Sequence, residues 1–177
     1  MNKGDLKKYL EEKLHKNEIE AIYHYILKQD KLKKSLYLFL SDTDKRINTN
    51  AAWILCQFDS SNNSWLIKNQ GDLMEMVMHT PDTTLRRLIL TILSKQTIKE
   101  ENYRIDFFDF CIKRMMKSKE TTGIKSLSIK LAYKLCKNLP ELKNELKMNL
   151  EIMEPDLLTP GMKAIRNQII KELEATI

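Results

Sequence analysis

Leu85-Arg86-Arg87-Leu88-Ile89-Leu90-Thr91-Ile92-Leu93 decides the fold, because the same nine-residue pattern occurs three more times along the chain. The other copies read INTNAAWIL from Ile47 to Leu55, LSIKLAYKL from Leu127 to Leu135 and IRNQIIKEL from Ile165 to Leu173. First, fifth, sixth and ninth positions are apolar in every copy: Ile47, Ala51, Ala52 and Leu55; Leu85, Ile89, Leu90 and Leu93; Leu127, Leu131, Ala132 and Leu135; Ile165, Ile169, Ile170 and Leu173. On a helix turning about 100° per residue these positions span an arc of roughly 140°, which makes one buried stripe. The copies end 38, 42 and 38 residues apart, a period suited to helix pairs stacked on one another. A lone pair cannot bury its apolar face, so the period predicts an array.

Outward from the pattern, the helical periodicity predicts ten helices. An amino-terminal pair, about Leu6 to Leu14 and Glu18 to Lys28, lacks the nine-residue register and caps the array, as terminal repeats often do. Four pairs follow. Their first helices are expected near Lys31 to Leu40, Trp65 to Met78, Tyr103 to Lys117 and Glu141 to Met153, and the pattern supplies each second helix. Asp44, Thr80-Pro81, Thr122-Gly123 and Thr159-Pro160 mark the starts of the second helices, since Asp and Thr accept from free N–H groups and Pro suits a first turn. The polar run Asp59 to Ser64 reads as a surface turn between repeats.

The second copy also carries a family resemblance. His79-Thr80-Pro81-Asp82 forms an aspartate-containing turn, Leu85-Arg86 stands for a Val-Arg pair, Ile89-Leu90 for two alanines and Ile92-Leu93 for an Ala-Leu. In this the chain resembles the HEAT-repeat, or armadillo-like, helical repeat family over about residues 30 to 177. The fourth copy keeps the arginine as Arg166, whereas the first and third have Asn48 and Ser128. The resemblance implies an all-α right-handed superhelix, a HEAT-like solenoid of about four to five helix pairs. Residues 1–177 are expected to form a single domain, with 1–29 as the cap and 30–177 as the repeats. In the family pattern a small residue follows the ninth position, and Cys56, Ser94 and Cys136 hold that place.

Composition agrees with this class: 177 residues hold only four Gly and four Pro, and 7% are aromatic. No stretch approaches 18 uninterrupted apolar residues and Met1 to Asp5 lacks the apolar core of a signal peptide, so no membrane partner and a cytoplasmic location are expected. The three cysteines show no C-x-x-C or Cys/His spacing suited to zinc, and free buried thiols in a reducing compartment are expected. His15, His24 and His79 have no nucleophile motif near them in sequence, and His24, beside Tyr23 and Tyr25, reads as a partly buried imidazole. Asp106 with Asp109 and Glu151 with Glu154 are spaced as on any solvated helix. Four glycines leave no phosphate-binding loop. The expectation is a protein that is not an enzyme and needs no cofactor and no metal.

A net charge of +6 raises nucleic acid as a partner. Each third of the chain, however, carries only two more basic than acidic side chains, and there is no basic arm. Lys31, Lys33 and Lys34 read as a solvated helix start. In HEAT-like stacks the second helices line the concave side, and positions three and seven, with the residue before position one, point away from the stripe. That ribbon reads Arg46, Thr49 and Trp53; Thr84, Arg87 and Thr91; Ser126, Ile129 and Tyr133; Ala164, Asn167 and Lys171. Arg46, Thr49, Trp53, Arg87, Tyr133 and Lys171 are the candidate partner-binding residues, the aromatics as anchors and the arginines for acidic groups. The expected function is a noncatalytic scaffold that binds a protein or peptide through this face. The alternative is nucleic-acid binding of the kind found in HEAT-like DNA-repair glycosylases, although the ribbon has no Asp or Glu for glycosylase chemistry.

Overall fold

A computed structural model describes residues 1–59, 64–137 and 139–175. Among the described residues there are ten α-helices and no strand: α1 Lys3–Glu11, α2 Lys16–Ile26, α3 Asp30–Phe39, α4 Lys45–Leu55, α5 Gln70–His79, α6 Thr83–Ser94, α7 Ile105–Met116, α8 Thr122–Cys136, α9 Pro140–Ile152 and α10 Pro160–Glu174. The all-α repeat architecture is the one expected. One departure is the helix foreseen from Trp65 to Met78, which is a 3₁₀ segment, Ser64–Asn69, leading into α5. The expected surface turn over Asp59 to Ser64 lies largely outside the described residues.

Two compact units form, residues 1–68 with 79–96 and residues 69–78 with 97–177. At the centre of the first unit is α4, which packs against α1, α2, α3 and α6. Its Ala51 and Ala52 are fully buried and bring the neighbouring backbones close, while Ile47, Ile54 and Leu55 fill the surrounding space. Phe58, just past α4, is also fully buried, with Tyr23 and Trp65 edge-on at ring-centroid distances of 5.0 and 6.1 Å. A buried side chain of this size contributes about 1.5–3 kcal/mol.

In the second unit α8 takes the central place, against α7, α9 and α10. Phe107, Phe108 and Cys111 of α7 and Leu131, Ala132 and Leu135 of α8 are buried between them. Gln70, at the start of α5, is fully buried: its Nε2 donates to the Thr97 carbonyl (2.8 Å), and its Oε1 accepts from Asn102 Nδ2 (3.0 Å) and the Lys99 N–H (3.3 Å). Arg104 adds an ion pair to Glu75 at 2.5 Å.

The stripe of the nine-residue pattern is buried at every position except Leu127, Ile165 and Ile170, which are half-buried. The caps differ from expectation in two places. Asp44 and Thr159 cap α4 and α10 as foreseen, but Asp82 caps α6, taking the Leu85 N–H at 2.8 Å, and Thr121 caps α8. Thr80 instead lies in the turn, where its carbonyl accepts from Arg86.

Candidate functional site

The site is built on the first turns of α4. Asp44 Oδ1 accepts from the N–H groups of Arg46 (2.7 Å) and Ile47 (3.2 Å), fixing where the helix starts and therefore which side chains face outward. Arg46, Thr49 and Trp53 follow at intervals of three and four residues and share one side of the helix. Arg46 is exposed, and its Nη1 donates to the Glu11 carbonyl at 3.1 Å. Asn50 is buried, and its Nδ2 donates to the carbonyls of Leu10 (2.9 Å) and Glu12 (3.0 Å). The last carbonyls of a helix have no partner within it, so α4 supplies the missing donors at the end of α1.

Beside these contacts opens a groove of about 800 Å³ lined by Glu11, Thr43, Asp44, Lys45, Arg46, Thr49 and Asn50. Its two cations are differently engaged. Lys45 pairs with Asp82 at 2.6 Å, whereas the Arg46 guanidinium sits against the neutral Glu11 carbonyl. Trp53 is half-buried one turn beyond Thr49, which leaves part of the indole for contact. On α6, Arg87 is exposed.

Arg87 and Lys95 act electrostatically on Cys56. Burial pushes that thiol up to about 12, against the opposing pull of the two cations, and its Sγ donates to the Leu88 carbonyl at 3.2 Å. Burial likewise pushes Cys136 up to about 11 and raises Cys111. All three cysteines are free and buried, protonated at neutral pH, and so lack the thiolate a nucleophile needs.

The two candidates of the second unit are arranged differently. Tyr133 on α8 is half-buried; burial raises its phenol, and the hydroxyl donates to Glu172 of α10. Gln168 and Tyr133 together hold the Glu172 carboxyl below its usual range. Lys171, next to it, is exposed. Arg46 and Thr49 therefore meet in one groove, with Trp53 one turn further along the same side of α4, while Tyr133 is tied to its own neighbour helix.

Two readings, of Ile129 and His24, need correction. Ile129 is fully buried, because the central α8 is covered by neighbours on more than one side. His24 is exposed rather than partly buried, stacked obliquely on Tyr23 at 5.0 Å. Thr91 turns its hydroxyl onto the Arg87 carbonyl (2.8 Å). The Lys31–Lys34 segment is a solvated start, with Lys33 paired to Asp30 at 3.1 Å. Sequence reasoning missed Asn48 and Asn50, whose signal was a polar amide placed next to the apolar stripe of a helix.

Among the described residues, no three His, Cys, Asp or Glu side chains are placed to hold a metal ion. Nor is any described helix long and apolar enough to cross a membrane. The family model of the HEAT repeat domain matches residues 6–173. The chain belongs to the HEAT-repeat family. HEAT-repeat proteins are in general noncatalytic helical scaffolds, and their repeats commonly mediate protein interactions. The match begins at Leu6, so the amino-terminal pair without the nine-residue register falls inside it as well. No match is found among curated proteins.

Proposed function

We propose that this HEAT-repeat chain is a noncatalytic cytoplasmic interaction module that binds a protein or peptide partner through the face presented by its second helices. The observation that carries the reading is the groove beside α4, where Arg46 and Thr49 line an open space and half-buried Trp53 follows one turn further along the same side of the helix. A half-buried indole offers a large contact area at little ordering cost, and the arginines suit acidic groups of a partner. Arg87 widens the cationic character on α6, and Tyr133 with Lys171 supplies a similar pair in the second unit. Preformed helices lower the entropy lost on binding, so no chemistry beyond recognition is required.

The test compares affinity capture from a native lysate by the parent chain and by a Trp53→Ala/Arg87→Glu/Tyr133→Ala variant of unchanged circular dichroism. Loss of specific partners in the variant is expected, and identical partner sets would overturn this choice of face. A parallel titration with labelled duplex DNA at two salt concentrations separates the alternative occupant, since nucleic-acid binding weakens steeply as salt rises. Tight, salt-sensitive DNA binding lost in the same variant would assign the face to nucleic acid instead.

A further inference from the structure

The second unit carries an apolar stripe that its own packing does not use. Met148 and Ile152, one turn apart on α9, are 63% and 67% exposed, and Leu157, just beyond the helix, is 79% exposed. Buried Leu146 and Leu150 face the other way and account for the contact of α9 with the rest of the unit. The stripe is therefore additional to the core.

Its surroundings are acidic. Glu141 and Glu145 share the outward side of α9 with Met148 and Ile152, and Glu154 and Asp156 flank Leu157; all four are exposed, and among the described residues only Asp156 of the four has a lysine nearby, Lys163 at 3.9 Å. Glu151 lies on the same side and is drawn toward Lys147 at 3.8 Å, a lysine that also reaches Glu174 at 3.2 Å. No lysine or arginine of α9 falls on the Met148 side of the helix. In a chain of net charge +6, this is a local reversal of sign.

We propose that the α9 stripe is a second docking surface, for a basic amphipathic helix of a partner protein. Large apolar side chains one helical turn apart, one of them a flexible methionine, receive the apolar face of such a helix, read at intervals of three and four residues. The carboxylates on either side pair with lysines or arginines at its margins, which sets orientation and raises the association rate. A second copy of this chain is a poorer fit, because its excess positive charge is spread evenly and not concentrated on one apolar helix. The surface lies on a first helix of a pair, so it does not depend on the second-helix face proposed above.

The experiment uses the full chain and a fluorescein-labelled peptide of about 18 residues, five helical turns, with leucines on one face and lysines and arginines at its margins. A scrambled peptide of the same composition is the control, and fluorescence anisotropy is the readout. The parent chain is expected to bind the amphipathic peptide at least about tenfold more tightly than the scrambled one. Met148→Gln/Ile152→Gln/Leu157→Gln should weaken binding about tenfold, and Glu141→Lys/Glu145→Lys should weaken it most at low salt. These positions are exposed, so circular dichroism and the melting temperature should stay at parental values. The Trp53→Ala/Arg87→Glu/Tyr133→Ala variant should bind the peptide normally. Equal binding of both peptides, parental affinity in the glutamine variant, or loss of binding in the Trp53 variant would each overturn the proposal. So would light scattering that shows a dimer in the parent and a monomer in the glutamine variant, because a second copy would then cover the stripe.

Discussion

The second helices of the two units share a nine-residue pattern but enter it differently. In the first unit α4 and α6, of 11 and 12 residues, start behind Asp44 and Asp82, three residues ahead of Ile47 and Leu85. In the second unit α8 and α10, of 15 residues each, start behind Thr121 and Thr159, six residues ahead of Leu127 and Ile165. The extra three residues are nearly one turn. They change the work of the side chain at the second position. Asn48 and Arg86 reach back six residues to turn carbonyls, at Asp42 (3.2 Å) and Thr80. Six residues before Ser128 or Arg166 the chain is already helix, and its carbonyls serve the helical ladder. Arg166 turns instead to the end of α9, donating Nε to the Leu150 carbonyl at 2.7 Å. Ser128 is too short to follow, and its buried hydroxyl has no hydrogen-bond partner among the described residues. One pattern thus fixes the stripe, while the cap decides what the second position can reach.

The largest expected effect comes from removing that reach. Arg86 is only 6% exposed, and Arg86→Ala would strip the Thr80 carbonyl of its charged donor, with a loss of about 2–3 kcal/mol in urea unfolding. Asn48→Ala, with a neutral and weaker bond, should lose about 1 kcal/mol. A loss for Arg86→Ala no greater than for the exposed Arg87→Ala would break the comparison.

Ser128→Ala tests the opposite case. Deleting a buried hydroxyl that has no partner should raise stability by about 1 kcal/mol. A decrease in the unfolding midpoint would mean that the hydroxyl is satisfied in solution and that the second unit has its own version of the link.

The smallest effect is electrostatic. Desolvation acts to raise the Asp82 carboxyl, but the Lys45 ammonium and the N–H groups of Leu85 and Thr84 outweigh it and hold the group below its usual range. A native pKa below the unfolded one stabilises the fold above about pH 4, and that contribution is lost as pH falls through the depressed native value. Asp82→Asn keeps a capping side chain and removes only the charge. With Lys45 76% exposed, the variant should lose about 0.5 kcal/mol at neutral pH, and the difference from the parent should vanish in acid. Thr159→Asn, at the uncharged cap of the second unit, should show no such pH-dependent difference. A difference for Asp82→Asn that persists unchanged at pH 2 would assign it to cap geometry.

Much of this fold is legible in the sequence. The second helices fell where the pattern put them, and Cys56 and Cys136 are buried where the pattern calls for a small residue. The misreading of Ile129 has a physical cause. A single stripe puts Ile129 outward, yet α8 is enclosed by α7, α9 and α10 and needs a wider one. Among the candidate site residues, exposure of Arg46 and Arg87 followed from register, but the bond of Arg46 to Glu11 joins positions 35 residues apart and had no local sign.

By itself the sequence determined the repeat, its period and the inward side of each second helix, because helical periodicity and small-residue spacing are local properties of the chain. Tertiary structure alone decided which outward residues line a groove, which polar side chains close the ends of other helices, and that Met148, Ile152 and Leu157 are left uncovered. Those outcomes depend on which helices meet, and an apolar residue reads the same in sequence whether a neighbour covers it or not.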